Sequence, residues 1–461
     1  MRLLTLALLL IPSLHAADET ALDRYVAAPD ASFKYTLNRT IPVAGATIYQ
    51  LDMVSQTWLT TAEVDQPVWR HWVTIIKPDK PANNTALLFI NGGSYRTTPD
   101  APDPLMTLVA GAANMVVVNL GQVPNEPLKF ADESKTRSED AIIAYTWDKF
   151  LRTGDERWPA RLPMTKAAVR AMDAASAFLA QAQNGGFAVK NFVVAGGSKR
   201  GWTTWTTAAV DPRVVAIAPI SIDTLNMDSC FIHHWRAYGF WAPAVKDYVD
   251  AGIMNWFGTP QMQALLEIED PYQYRERLTM PKYMTYASGD QFFLPDSSQF
   301  YFADLPGEKY LRYVPNMDHG MSSPDATTNL IAWLHAVTSN DPRPRFYWRV
   351  NRAEGRIRLR TIDQPSQVLL WQATNPNARD FRLEAVGPIW KSTPITGVSG
   401  IYDVAVPKPA TGWTASFVEL TFPGTAGTQL VMTTEVIVTP DVYPFSAPVG
   451  AVVGSLLPAK R

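Results

Sequence analysis

The sequence predicts an α/β protein, in which a doubly wound, mostly parallel sheet is followed by a smaller all-β region. Up to residue 341, short continuous apolar runs alternate with helical patterns, as in strands buried on both faces of a parallel sheet. After the linker Pro342-Arg-Pro-Arg345, short alternating runs are separated by turn residues. A chain of 461 residues is longer than one hydrophobic core usually serves, so we expect two domains.

Composition narrows the class of protein. Hydrophobic residues make up 47% of the chain and charged residues 18%, which is typical of globular proteins. The formal net charge is −2 and no long basic run occurs, so we expect no nucleic-acid partner. Because Cys230 is the only cysteine, no internal disulfide and no cysteine-based metal site can form.

The first residues have the pattern of a secretory signal peptide. One positive charge and a short apolar block precede small residues, so cleavage is expected after Ala16 or Ala17. The apolar block is too short to span a bilayer, and no later stretch is long enough. We therefore expect a periplasmic or secreted protein without an integral membrane segment.

Hydrophobic periodicity predicts the elements of the first domain, residues 18–341. The predicted strands are 48–55, 67–76, 86–90, 115–120, 192–195, 214–218, 281–287 and 309–314. The predicted helices are 105–113, 141–150, 165–182, 202–209 and 326–337. Two polar, tryptophan-containing stretches interrupt the pattern, the first insertion (121–164) and the second insertion (221–279), and we interpret them as a lid.

The second domain, residues 342–461, is predicted to be an all-β, Ig-like sandwich. Its alternating runs are 346–350, 357–360, 368–371, 416–422 and 429–432, at intervals typical of such sandwiches. We interpret it as a brace for the lid, while an adhesion or carbohydrate-binding module remains the alternative.

The stretch around Ser198 predicts a nucleophile elbow. The apolar run 192–195 leads into Gly196-Gly197-Ser198 and then into a helical pattern, which is the strand–turn–helix setting of such an elbow. Glycines permit the strained dihedrals and the close backbone approach that the turn requires. Ser198 is therefore the candidate nucleophile, and an ordinary glycine turn is the alternative.

Partners for Ser198 follow in the order that this kind of sheet requires. A nucleophilic serine needs a base and an acid that orients the base, and on such sheets the order is Ser, Asp or Glu, His. Of the six histidines, only His319 lies in a loop after a predicted strand. Asp290 follows directly on a strand and a glycine, and is preferred for that reason over three other candidate acids, Asp296, Asp304 and Asp318.

The loop Asn91-Gly92-Gly93-Ser94 occupies the place of an oxyanion-hole loop. The backbone amides of Gly93 or Ser94, together with that of Lys199, would supply two donors. The Lys199 ammonium is a candidate cation for the developing oxyanion, and Arg200 a candidate anchor of the helix start. A plain turn and solvated side chains are the alternatives.

Metal and cofactor binding are not expected. His233 and His234, with Asp223 and Asp228, could be read as a metal cluster. Adjacent histidines point in different directions, however, and no further ligands recur at suitable spacing. The sequence therefore predicts no metal site and no cofactor.

The segment Gly197-Ser-Lys-Arg-Gly-Trp202, with residues 210–226, resembles the PhoPQ-activated pathogenicity-related protein family, which includes the autocrine proliferation repressor of amoebae. The resemblance runs from about Tyr25 to beyond Leu430 and implies an exported α/β-hydrolase-like protein, linked in some bacteria to virulence. A looser similarity, Gly-x-Ser-(Lys/Arg)-x-Gly, links the elbow to glucuronoyl and acetyl-xylan esterases. There, the basic residue after the serine assists the oxyanion, which implies the same role for Lys199.

These features together predict a serine hydrolase that cleaves a small-molecule ester or a peptide. Ser198 would be the nucleophile, His319 the general base, and Asp290 the residue that orients the base. The alternatives are a non-catalytic binding or signalling protein on the same fold, or a carbohydrate (glucuronoyl or acetyl) esterase. The oligomeric state is left open.

Overall fold

Residues 19–448 are described by the computed structural model, so the predicted signal peptide lies outside the described residues. Among the helices of the described range, none is long and apolar enough to cross a membrane.

Helices and strands alternate through the first two thirds of the chain, and strands dominate the last third. The helices are α1 Ala21–Ala27, α2 Pro104–Ala112, α3 Asp140–Thr153, α4 Arg161–Leu179, α5 Lys199–Val210, α6 Met227–Tyr238, α7 Lys246–Asp250, α8 Pro260–Glu269, α9 Pro324–Thr338 and α10 Leu383–Val386. The strands are β1 Lys34–Val43, β2 Ala46–Thr57, β3 Val68–Pro78, β4 Thr85–Ile90, β5 Val116–Leu120, β6 Leu128–Lys129, β7 Thr136–Arg137, β8 Asn191–Gly197, β9 Val214–Ile220, β10 Lys282–Ala287, β11 Lys309–Val314, β12 Phe346–Asn351, β13 Arg356–Thr361, β14 Gln367–Asn375, β15 Lys391–Pro394, β16 Ile401–Ala405, β17 Trp413–Pro423, β18 Gln429–Thr433 and β19 Ile437–Thr439.

A long central sheet organises the fold. Its first part runs in the order β1-β2-β3-β5-β4-β8-β9-β10-β11. The strands from β5 to β11 in this order are parallel, whereas β1, β2 and β3 pair antiparallel at one edge. The prediction of a mostly parallel sheet is therefore confirmed. Because the parallel strands share a direction, their carboxyl ends lie along one edge of the sheet, where side chains from different loops can meet.

Helices cover both faces of this sheet. On one face, α4 and α5 pack in the larger hydrophobic core together with α3 from the first insertion. On the other face, α2 and α9 pack in a second core that extends to the C-terminal strands. This two-sided cover explains why the parallel strands consist of continuous apolar runs instead of alternating ones.

The C-terminal strands form two sheets, one of which continues the central sheet. Strand β18 pairs antiparallel with β11 at Leu311 and Thr433, and the sheet goes on through β17 and β14 to β15. A separate sheet has the order β12-β13-β16. The strands predicted after residue 345 are present. The central sheet and the second core both include residues on each side of the predicted domain boundary at residue 342. A separate second domain with an Ig-like sandwich therefore remains a prediction.

The two insertions pack against each other above the N-terminus of α5. The first insertion holds the short β6–β7 pair and α3, and the second holds α6, α7 and α8. Trp147 of α3 lies 6.0 Å from Trp202 of α5 and 5.2 Å from Tyr248 of α7, measured between ring centroids. Both insertions thus contact the helix that begins directly after Ser198.

His71 in β3 should make stability sensitive to acid. Complete burial lowers the pKa of His71 to about 4, and backbone hydrogen bonds at Gly121 and Gln122 oppose this only partly. Nδ1 donates to the Gly121 carbonyl (3.1 Å), and Nε2 accepts from the Ser55 hydroxyl (3.0 Å), so the folded protein holds the neutral ring. Between pH 6.5 and 4 the unfolded chain binds a proton that the folded chain does not.

The free energy of unfolding should therefore fall as pH falls through this window, and His71 alone contributes up to about 1 kcal/mol per pH unit. Urea unfolding of the wild type and of His71→Gln at several pH values measures this dependence. Because the variant lacks the titrating group, its free energy of unfolding should fall less steeply with falling pH. Equal slopes in the two proteins would contradict the assignment.

Candidate active site

Ser198 sits at a strained turn between β8 and α5. Its backbone has φ 56° and ψ −125°, in the region that residues other than glycine rarely adopt. The amide of Ser198 donates to the Ile220 carbonyl at the end of β9 (2.8 Å), which holds the turn against the neighbouring strand. Strain of this kind persists where the surroundings determine it, and it is common at functional sites.

Two glycines allow α5 to approach the strands closely. A Cβ on Gly196 would lie 2.8 Å from the backbone C and O of Arg200. A Cβ on Gly201 would lie 2.9 Å from the carbonyl oxygens of Gly196 and Ile220. The glycine at 201 is therefore required by the contact between the helix and the strands.

Three residues predicted from the sequence form one hydrogen-bonded chain. The distance from Ser198 Oγ to His319 Nε2 is 2.8 Å, and from His319 Nδ1 to Asp290 Oδ2 is also 2.8 Å. Because a carboxylate only accepts, Nδ1 donates to Asp290, and Nε2 is left to accept from the serine hydroxyl. Ser198, Asp290 and His319 follow strands β8, β10 and β11, whose carboxyl ends meet at this edge.

The residues directly after Asp290 hold the acid and the base in place. Asp290 Oδ1 accepts from the backbone amides of Phe292 (2.7 Å) and Phe293 (3.3 Å). The side chain of Gln291 accepts from the His319 amide (2.8 Å). The Phe292 ring lies 4.3 Å from the imidazole. Sequence reasoning missed these three residues, although their position beside Asp290 was a usable signal.

The predicted oxyanion loop lies beside the serine. Asn91, Gly92 and Gly93 line a cavity of about 710 Å³ together with Ser198 and His319. Gly93 has φ 105°, a conformation that favours glycine. Ser94 forms an isolated bridge with Glu126, and its carbonyl accepts from the Gln122 side chain (3.3 Å).

Lys199 and Arg200 bind the first insertion. Lys199 Nζ lies 2.9 Å from Glu139 and 2.8 Å from Asp140, so two carboxylates compensate the cation that was predicted to face the oxyanion. Arg200 donates to both Glu139 oxygens (2.8 Å each) and to the Val123 carbonyl. The prediction that Arg200 anchors the helix start agrees with these contacts. No pattern in the sequence indicated that Glu139 and Asp140 would be the partners of these basic residues.

Near Lys199 and Arg200, the pKa values of two carboxyl groups are shifted in opposite directions. Burial raises the pKa of Glu126 to about 7, and the neighbouring Glu139 charge adds to the rise. Burial also acts on Glu139, but hydrogen bonds and charge from Arg200, with the charge of Lys199, outweigh it and lower its pKa to about 2. At neutral pH Glu139 is therefore the ionised partner of both basic side chains.

A second, smaller cavity of about 30 Å³ is lined by Ser198 but not by His319. Its lining consists mainly of aromatic and aliphatic side chains from both insertions, from α5 and from residues 292–293. The charged side chains of Lys199, Asp140 and Arg161 also line it. Ser198 thus lines both a large cavity and a small one.

The competing acids and the histidine pair have other partners. Asp296 binds His233 (2.8 Å) and Arg379 (2.6 Å), Asp304 accepts from the Tyr272 hydroxyl (2.5 Å), and Asp318 accepts from the Gly320 amide (3.0 Å). His234 accepts from the Ala242 amide (3.0 Å), and Asp223 accepts from two tyrosine hydroxyls. Among residues 19–448, no group of three or more His, Cys, Asp or Glu side chains is placed to hold a metal ion.

Comparison with known proteins identifies the family. Residues 22–382 match the PhoPQ-activated pathogenicity-related protein family. The chain belongs to this family. It is also 38% identical over 473 residues to autocrine proliferation repressor protein A of Dictyostelium discoideum, with 96% of this chain and 95% of the relative covered.

Solved structures similar to this family member include esterases. Acetyl xylan esterase from Paenibacillus sp. R4 is 13% identical, with 68% of this chain and 92% of that chain covered and a TM-score of 0.49. Glucuronoyl esterase from Solibacter usitatus is 13% identical, with 69% and 91% covered and a TM-score of 0.38. The mostly parallel sheet, the elbow and the family membership together give this chain an α/β-hydrolase-like fold.

Adding a methyl group at Gly196 should destabilise the elbow. Gly196→Ala places its Cβ against the Arg200 backbone, which cannot move without shifting α5, and we expect a loss of about 1–3 kcal/mol in the free energy of unfolding. Gly197→Ala is the matched control, because its Cβ would meet no atom within 4 Å. Urea unfolding of both variants measures the difference, and equal stabilities would contradict the close approach.

Proposed function

We propose that this protein is an exported serine hydrolase that cleaves a small-molecule ester or a peptide through an acyl-enzyme. The observation that carries the proposal is the hydrogen-bonded chain from Ser198 through His319 to Asp290, with 2.8 Å at each link. Its place at the carboxyl ends of three parallel strands, with Ser198 on a strained turn, supports it. Export rests on the signal-peptide pattern of the first residues.

In the proposed mechanism, Ser198 Oγ attacks the carbonyl carbon while His319 Nε2 takes the hydroxyl proton. Asp290 keeps the imidazole in the tautomer that leaves Nε2 free to accept, and stabilises the imidazolium that forms. His319 then gives the proton to the leaving group, and water repeats the sequence on the acyl-enzyme. Backbone amides of Gly93 or Ser94 and of Lys199 are proposed to hold the oxyanion.

A fluorophosphonate probe should label the wild type at Ser198. Such probes react with serines activated by a base, and the base is in place here. Gel fluorescence and peptide mapping read the label, and Ser198→Ala should lose it. An unlabelled wild type, or a variant labelled as strongly as the wild type, would refute the proposal.

Removing the charge that orients the base should slow the reaction severely. Asp290→Asn offers an amide in place of the carboxylate, which favours the wrong imidazole tautomer, and the rate constant of probe labelling should fall by about 10³–10⁴-fold, as expected for attack by Ser198. The matched control is Asp318→Asn, since Asp318 lies beside His319 in sequence but its side chain accepts from the Gly320 amide (3.0 Å). Rates of probe labelling compare the variants, and equal losses in both would argue against the assignment of Asp290.

A second candidate function is that of an extracellular signal that needs no turnover. Its support is the 38% identity to a relative named as a repressor of proliferation. A role in virulence belongs to the same level of proposal, since it rests on the family description alone. A Ser198→Ala protein that lost probe labelling yet kept the full biological effect would favour this second function.

A further inference from the structure

We propose that the small cavity beside Ser198 receives the acyl part of the substrate and favours a short acyl group such as acetyl. The preferred substrate class is then an acetyl ester of a larger alcohol. This inference rests on the proposed function, because an acyl group enters the cavity only if Ser198 attacks a carbonyl.

The position of His319 decides which cavity receives which part of the substrate. His319 Nε2 must deliver a proton to the leaving oxygen, so the leaving alcohol has to lie on the histidine side of the serine. The cavity of about 710 Å³ is lined by both Ser198 and His319. The small cavity is lined by Ser198 but not by His319, and the Phe292 ring, 4.3 Å from the imidazole, forms part of its wall. The alcohol therefore takes the large cavity and the acyl group the small one.

The volume of the small cavity limits the acyl chain. The small cavity measures about 30 Å³, against about 710 Å³ for the large cavity. The small cavity therefore favours a short acyl chain over a long one. The methyl group of an acetyl ester fits, while a butyryl chain extends three carbons beyond the carbonyl. The apolar wall consists mainly of Trp147, Trp202, Phe231, Val245, Tyr248 and Phe293.

Buried contacts keep the walls from moving apart. Trp147 and Trp202 are 1% and 6% exposed. Tyr248 donates its hydroxyl to Asp140 (2.9 Å), and the same carboxylate pairs with Lys199 (2.8 Å). Opening the cavity on this side would break a largely buried charge pair, which is costly because it leaves a charge without its partner. The limit on acyl size is therefore built into the way the first insertion is held.

The reaction balances without a further reactant. Ser198 Oγ forms a bond to the acetyl carbon and its proton passes to His319. The bond from that carbon to the alcohol oxygen then breaks, and the alcohol leaves with the proton. Water attacks the acetyl-serine with His319 again as base, which releases acetate and restores the hydroxyl.

The direct test is an acyl-chain series on the wild type. The p-nitrophenyl esters of acetate, propionate, butyrate and hexanoate share one leaving group, which the large cavity accommodates. After division by the rates with hydroxide, kcat/KM for acetate should exceed that for butyrate by about tenfold or more, and that for hexanoate by about 100-fold.

A pair of valine variants tests the wall itself. Val245→Ala removes part of the lining, so the ratio of kcat/KM for butyrate to that for acetate should rise by about tenfold. Val249→Ala is the matched control, because Val249 is 38% exposed and does not line the cavity. The ratio for Val249→Ala should stay at the wild-type value.

The outcomes separate this inference from the proposed function. Equal or faster cleavage of butyrate or hexanoate by the wild type would overturn the acyl-size limit, and so would an unchanged ratio in a folded Val245→Ala variant. If the probe labels Ser198 but no ester of the series is cleaved, the acetyl-ester inference is wrong and the serine hydrolase proposal stands. If Ser198 is not labelled and no ester is cleaved, both are wrong.

Discussion

The close approach of α5 to the ends of β8 and β9 is the contact on which the candidate site depends. Gly196 and Gly201 leave room for backbone against backbone, and the Ser198 amide is hydrogen bonded to Ile220. This packing keeps Ser198 at φ 56°, so that its hydroxyl faces the imidazole of His319. The strain in the turn is offset by the contacts of a buried helix with two buried strands.

A second constraint ties the first insertion to the same turn. The two basic residues that follow Ser198 are held by Glu139 and Asp140, the residue before α3 and its first residue. Because Lys199 and Arg200 are mostly buried, their charges require partners, and the insertion supplies them. The wall of the small cavity and the elbow are thereby parts of one ion-paired unit.

The C-terminal region is joined to the second insertion by a buried polar network. Asp296 binds His233 of α6 and Arg379, and the Tyr443 hydroxyl lies 2.7 Å from the other nitrogen of His233. Although burial opposes it, the charge of Arg379 holds the pKa of Asp296 below its usual range. These contacts support the interpretation of the C-terminal region as a brace. The sequence contained no sign of the network, since its members lie far apart along the chain.

Much of the parallel sheet and the order Ser198, Asp290, His319 could be predicted from the sequence, because buried strands are continuous apolar runs and polar residues directly follow their ends. Strand β1 was missed, since most of its residues are exposed and it lacks a buried pattern. Tertiary structure alone decided that Lys199 faces carboxylates, that Phe292 lines the small cavity, and that the central sheet continues into β18. Periodicity reports the burial of each element by itself, whereas these features depend on contacts between residues distant in sequence.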